Sequence, residues 1–264
     1  MKTAKKASSS RKRWVAVVDG DLAQEAIHIA KNIADRILDG DVLFENLKSL
    51  PLKYPSAPVQ WDGYGLMQGF AGLAAMYNQL DRCFPREGWR RVGSHFLRIA
   101  SDLYSASRAA GSSFYDLNML DISLCSGASG LGYIALQSPR GKSAYKSLFD
   151  DILVVLEARV QQIMTKISQA HGVSQNDYDV LYGVTGIGRY LLACETTKYR
   201  PGPLRPILDL LIEKSRLDGD LPGLFTPHEL LHPFEQQQFS GTVAINCGLA
   251  HGVPGPLALL SLAS

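Results

Sequence analysis

The sequence predicts an all-α protein: an α/α toroid, a double layer of helices, incomplete and with about four helix pairs present. Three observations carry this expectation. Four copies of a G-x-x-G motif each open an apolar helix, long amphipathic stretches lie between them, and no convincing strand alternation occurs anywhere.

The four copies read Gln68-Gly-Phe-Ala-Gly72-Leu-Ala-Ala-Met, Ser126-Gly-Ala-Ser-Gly130-Leu-Gly-Tyr-Ile, Tyr182-Gly-Val-Thr-Gly186-Ile-Gly-Arg-Tyr and His251-Gly-Val-Pro-Gly255-Pro-Leu-Ala-Leu. Their first glycines are Gly69, Gly127, Gly183 and Gly252, at successive intervals of 58, 56 and 69 residues. One G-x-x-G would mean nothing; four at a quasi-regular period indicate a repeat architecture, with repeat motifs at 68–80, 126–138, 182–194 and 251–263. The amphipathic partners follow in order. Asp21 to Leu38 aligns Ala23, Ala26, Ile27, Ala30, Ile33, Ala34 and Ile37 on one face. His95 to Ser105 and Leu204 to Lys214 keep the same 3.6-residue rhythm. Tyr145 to Ile167 is the longest, with Leu148, Ile152, Val155, Leu156, Val160, Ile163 and Met164 as its stripe. A helix apolar all round must be buried, whereas an amphipathic one has a wet face. The G-x-x-G helices are therefore expected inside and the amphipathic helices outside. Glycine at the inner-helix starts is expected to allow tight turns and close backbone approach. The gathered N-termini would favour an anionic species such as a thiolate.

A chain of 264 residues with 46% hydrophobic and 20% charged side chains can bury a sizeable core, and a net charge of +2 gives no reason to expect nucleic acid as a partner. Lys2, Lys5, Lys6, Arg11, Lys12 and Arg13 make residues 1–13 a basic tail, expected to be disordered, ahead of a toroid domain over 14–264. Trp14 to Val18 is far too short for the apolar core of a secretion signal. The cysteines Cys83, Cys125, Cys194 and Cys247 are scattered, which speaks against a disulfide scaffold or a zinc knuckle and fits a reduced cytoplasm. The last apolar helix reaches Ser264 with no Gly, Lys or Arg as a stop signal. Repeat proteins close into a ring or end on a polar cap, so the expectation is a truncated or frameshifted form of something longer; a half-toroid completed by self-association is the alternative.

The fourth motif, Asn246-Cys-Gly-Leu-Ala-His251-Gly-Val-Pro-Gly-Pro-Leu-Ala-Leu-Leu260, resembles the histidine motif of the lanthionine-synthetase cyclases, the LanC-like proteins. The third, Tyr178-Asp179-Val-Leu-Tyr-Gly183-Val-Thr-Gly-Ile-Gly-Arg-Tyr190, resembles that family's aspartate-bearing repeat. The resemblance implies addition of a cysteine thiol across dehydroalanine or dehydrobutyrine in a dehydrated precursor peptide, as in lantibiotic biosynthesis. It implies His251 and Asp179 as proton-transfer residues. Tyr182 and Ser126 hold the place of His251 in their own repeats and are expected, with Gly252, to line the cavity. The resemblance also implies zinc, bound through Trp-Cys and Cys-His motifs that lie beyond the fourth repeat. No metal ligand is therefore expected in this chain, and this chain alone is not expected to cyclise peptides. A lantibiotic dehydratase and an export transporter are the further partners implied. The place implied is the cytoplasm, peripheral at the inner face of the membrane.

Other readings stand beside these. His251 could hold its loop by an N–H bond, Asp179 could cap or brace the third inner helix, and Tyr182 and Ser126 could be core or capping residues. A non-catalytic peptide-binding toroid is a second class, and a toroidal glycosidase would need a second acid beside Asp179. His228-Glu-Leu-Leu-His232 is a literal H-E-x-x-H, the zinc-protease pattern. It is flanked by Pro227 and Pro233, however, and reads as a short turn capped by Thr226, with Pro227 at the first helical position and Glu229 as capping-box partner.

Overall fold

The computed structural model describes residues 18–38, 40–53, 61–110, 119–138, 142–195, 202–238 and 240–264, so the basic tail 1–13 lies outside the described residues. The chain divides into two compact units, Met1–Lys48 and Ser49–Ser264. In the first, α1 (Gly20–Asp35) forms where the 3.6-residue rhythm predicts, but only Ala34 of its apolar stripe is fully buried. The next helix, α2 (Gly40–Lys53), carries the chain across the division.

The second unit contains α3 (Phe70–Cys83), α4 (Trp89–Ala109), a single turn α5 (Met119–Ile122), α6 (Ala128–Leu136), α7 (Lys146–Gln169), a single turn α8 (Gln175–Tyr178), α9 (Val184–Glu195), α10 (Leu204–Lys214), α11 (Pro233–Gln238) and α12 (Pro254–Ala263). The G-x-x-G helices pack in sequence order, α3 on α6, α6 on α9 and α9 on α12. Around them α4 lies on α3 and α6, α7 on α6 and α10, and α10 on α9. This is the two-layered arrangement of the α/α toroid class. The layers differ in burial as their composition dictates. In α6 every residue from Ala128 to Gly132 is buried, whereas α4 buries one stripe, Trp89, Gly93, Phe96, Leu97, Ala100 and Tyr104. Phe70, Tyr77 and Phe96 stack between α3 and α4 at 5.4–5.8 Å, each such pair adding about 1 kcal/mol beyond its area. α12 departs from the expectation of all-round burial, because Leu257 and Leu262 are each 63% exposed.

The motif glycines are there for close approach. None of the eight G-x-x-G glycines has a positive φ, so the tight-turn expectation does not explain them. A Cβ on Gly130 would lie 2.0 Å from the Leu124 carbonyl oxygen, one on Gly186 2.1 Å from that of Val180, and one on Gly72 2.3 Å from that of Leu66. The second glycine thus lets its helix settle on the loop six residues upstream. It also admits the preceding repeat, since Leu66 meets Gly130, Leu124 meets Gly186 and Val180 meets Gly255. Leu249 holds the corresponding place in the fourth loop and is 64% exposed.

The loops are bonded in the same order. Leu66 and Met67 N–H donate to the Cys125 carbonyl, Cys125 N–H donates to Leu181, and Val180 N–H donates to Ala250, all at 2.8–3.0 Å. Backbone groups of the loops are thereby satisfied between repeats.

Two short strands, β1 (Leu217–Asp218) and β2 (Leu221–Pro222), make a hairpin around Gly219, too brief for alternation to register in sequence. The H-E-x-x-H segment is not one helix. His228–Leu230 is a 3-10 turn, Leu231 is extended (ψ 157°), and α11 starts afresh at Pro233. The capping box also lies elsewhere than expected. Thr226 is held in a two-way backbone bridge to Ala244, and no side chain caps the 3-10 turn. His232 is the capping residue instead: its Nδ1 accepts the Phe234 N–H at 3.3 Å, while the Glu235 carboxylate accepts the His232 N–H at 3.1 Å. Glu235→Ala is therefore expected to destabilise α11 by about 0.5–1 kcal/mol, read as faster amide exchange over 233–238, with Glu229→Ala leaving that exchange unchanged.

Candidate functional site

The site is built from the loops that precede α9 and α12. Each loop of the series is folded by an oxygen-bearing side chain that captures a nearby backbone N–H. Asp62 Oδ1 accepts from Gly65 at 2.9 Å, Ser123 Oγ from Ser126 at 3.1 Å, Asp179 Oδ1 from Tyr182 at 2.6 Å, and Asn246 Oδ1 from Gly248 at 2.8 Å. Asp179 does more than the others. Its Oδ1 also accepts the Gly183 N–H at 2.8 Å, and its Oδ2 lies 2.6 Å from His251 Nδ1, 72 residues along the chain. Asp179 is fully buried, whereas the His251 side chain is 41% exposed. The brace reading and the site reading of Asp179 thus describe its two oxygens. One holds the start of α9, and the other holds the histidine.

An ionised carboxylate can only accept, so the His251 Nδ1 bonded to it carries the proton. The opposite ring nitrogen, Nε2, is then a basic lone pair on the exposed edge. This is how a buried carboxylate fixes tautomer and orientation in an acid–base pair. The Tyr182 ring lies against the imidazole with centroids 6.2 Å apart and planes inclined by 30°. Burial pushes the Tyr182 phenol above its ordinary range, and the Cys125, Asp179 and Asp62 charges add to this.

Ser126 sits half-buried in the second loop, its side chain bonded to Asp62. Burial raises the Asp62 carboxyl above the usual range, and the bonds from Gly65 and Ser126 oppose that in part. Gly252 is buried, and a Cβ there would meet the Asn246 carbonyl at 2.1 Å, so its part is to let the fourth loop turn under His251. Sequence reasoning missed the anchors Asp62, Ser123 and Asn246. They stand seven, four and six residues before the first glycine of their repeats, so no shared register marks them.

Cys125 was also missed. Burial, reinforced by the charges of Asp179 and Asp62, pushes its thiol up to about 11. At pH 8 about one molecule in a thousand then carries the thiolate. Cys194 is buried as well, whereas Cys83 and Cys247 are exposed. An Ellman titration of the native protein at pH 8 is expected to show two fast thiols, with the other two released on unfolding. Four fast thiols would contradict the buried loop packing.

The zinc implied by the resemblance needs several convergent donors. Among the described residues no three His, Cys, Asp or Glu side chains converge on one point. Cys247, four residues before His251, turns its Sγ toward the Ile245 carbonyl at 3.8 Å. His228 and His232 do not present their rings one turn apart on a helix, as a zinc protease requires. These residues do not fit a metal centre. No helix among the described residues is long and apolar enough to cross a membrane.

Comparison with known proteins agrees with this layout. The sequence model of the family described as lanthionine synthetase C-like protein matches residues 60–264. The nisin biosynthesis protein NisC of Lactococcus lactis subsp. lactis is 27% identical over 145 residues, covering 55% of this chain and 34% of NisC. The chain thus matches about a third of the length of that curated relative. A solved nisin cyclase superposes with a TM-score of 0.60 over 90% of this chain and 56% of the cyclase, at 19% identity, which is a likeness of fold.

Proposed function

The chain belongs to the lanthionine synthetase C-like family, and on that premise we propose that it serves lanthionine formation by handling the proton in thioether ring closure on dehydrated precursor peptides. The observation that carries this is the 2.6 Å contact between the buried Asp179 and His251, joining the third and fourth repeats.

The chemistry requires a base and then an acid at one place. The peptide thiol loses its proton to His251 Nε2 as sulfur bonds to the β-carbon of dehydroalanine or dehydrobutyrine. The π electrons move onto the α-carbon and its carbonyl as an enolate. The imidazolium returns the proton to the α-carbon, so the net change is addition of S–H across C=C. Asp179 faces the imidazolium while it is charged and keeps Nδ1 protonated throughout. Tyr182 stacks on the ring and limits its rotation. A lantibiotic dehydratase would supply the substrate and an export transporter would take the product. Their site of action, and this chain's, is proposed to be cytoplasmic, peripheral at the inner face of the membrane.

Proton delivery from one fixed group sets the configuration at the new α-carbon, which a rate measurement would not isolate. The test uses a synthetic peptide carrying one dehydroalanine and one cysteine, closed in the presence of excess protein. Chiral analysis of the hydrolysed lanthionine is expected to show one predominant configuration with the wild-type chain and both configurations with His251→Ala. The mixture obtained without protein, unchanged by adding wild-type chain, would reject the proposal.

A further inference from the structure

A groove of about 410 Å³ opens beside His251, between α8 and the segment that leads into α11. We propose that it binds a stretch of peptide, free of acidic side chains, that flanks the residue reacting at His251; this rests on the dehydrated-peptide reading above and names where such a peptide lies.

The walls are of two kinds. On one side Leu230 and Phe234 stand 45% and 61% exposed, large apolar side chains left facing a concavity. On the other side are the Gln175 and Asn176 amides. Asn246 Nδ2 donates to Gln175 Oε1 at 3.0 Å, which fixes the Gln175 amide and leaves its Nε2 to donate into the groove. An apolar wall facing a row of amides suits a peptide, whose backbone takes the hydrogen bonds while alternate side chains meet the apolar surface.

Charge narrows the occupant. Glu235 is the one acid among the lining residues, no Lys or Arg is among them, and its carboxylate is committed to the His232 backbone N–H at 3.1 Å. No Lys or Arg stands opposite an acidic side chain or a phosphate, so a segment without acids is favoured over a nucleotide or an acidic leader. Continuity decides which peptide. His251 is itself part of the lining, and its Nδ1 is turned away onto Asp179. A chain lying in the groove runs past the opposite edge of that imidazole. The H-E-x-x-H segment thereby finds a use without metal, since Leu230, Leu231 and His232 form part of the wall.

The probe is a fluorescein-labelled dodecapeptide of small neutral residues, with two dehydroalanines and serine in place of cysteine so that no ring can close. Fluorescence anisotropy is expected to show at least tenfold weaker binding to the double variant Leu230→Ala/Phe234→Ala than to the wild type. The exposed hairpin variant Leu217→Ala should bind as the wild type does. All three proteins should share one circular-dichroism spectrum, because the altered side chains are solvent-exposed. A peptide with four glutamates at the flanking positions is expected to bind at least fivefold more weakly than the neutral one. Equal binding to the wild type and the double variant would overturn the groove and leave the ring-closure reading standing. Absence of binding to the wild type would overturn both.

Discussion

Gly186→Ala is expected to unfold the second unit or to lower its stability by more than about 3 kcal/mol. Helix propensity alone predicts the opposite, because alanine is favoured over glycine by about 1 kcal/mol inside a helix such as α9. The sign therefore separates the two accounts. The new methyl carbon would sit 2.1 Å from the Val180 carbonyl oxygen and 2.8 Å from Leu124 Cβ. Neither is the free end of a flexible side chain, so relief requires moving the third loop, which carries Asp179, or separating the second repeat from α9. Gly219→Ala is the control: its φ of +65° costs about 1 kcal/mol for a side chain, but nothing lies within 4 Å. Urea midpoints at constant slope give the comparison. A Gly186→Ala protein as stable as the wild type would mean that the inner helices do not seat on their loops as described.

Asp179→Asn is expected to keep the fold and lose the proton chemistry. The amide oxygen still accepts from Tyr182 and Gly183, so the start of α9 stays satisfied, and the loss of stability should be about 1 kcal/mol. The amide nitrogen then faces His251 Nδ1 as a donor. To accept from it, the imidazole must move its proton to Nε2, which removes the basic lone pair from the exposed edge. Proton transfer should fall by roughly 10²- to 10⁴-fold, seen as loss of the single configuration in the ring-closed peptide. Asp179→Ala removes the acceptor for two N–H groups and is expected to cost about 3 kcal/mol or more, read as a lower thermal midpoint. Equal midpoints for the Ala and Asn variants would contradict the brace assigned to Oδ1.

Elements defined by local periodicity were legible in the sequence, and α10 occupies the expected Leu204–Lys214. α4 is longer than the expected His95–Ser105, because Arg90 and Arg91 interrupt the apolar rhythm of a first turn anchored by buried Trp89. The glycine motifs marked the inner helices, but the reason for glycine lies in carbonyls of loops and side chains of the preceding repeat, which no local pattern displays. The turn before α11 was misassigned for a similar cause. Thr226 is the more usual helix cap by residue type, yet its backbone pairs with Ala244 and no side chain caps the 3-10 turn, while His232 caps the separate helix α11. Asp179 and His251 were singled out through family resemblance. Their bond to each other, across 72 residues, belongs to the meeting of two loops and has no local signature.

The proton position on His251 is the most direct test of the central claim. Long-range ¹H–¹⁵N correlation spectra of uniformly ¹⁵N-labelled protein, with His251 assigned by its loss in His251→Ala, report the tautomer of the neutral ring. The Asp179 contact predicts the Nδ1–H form, with Nε2 unprotonated, changing to the Nε2–H form in Asp179→Asn. An Nε2–H tautomer in the wild-type protein would contradict it, because the exposed edge would then hold no base for the thiol.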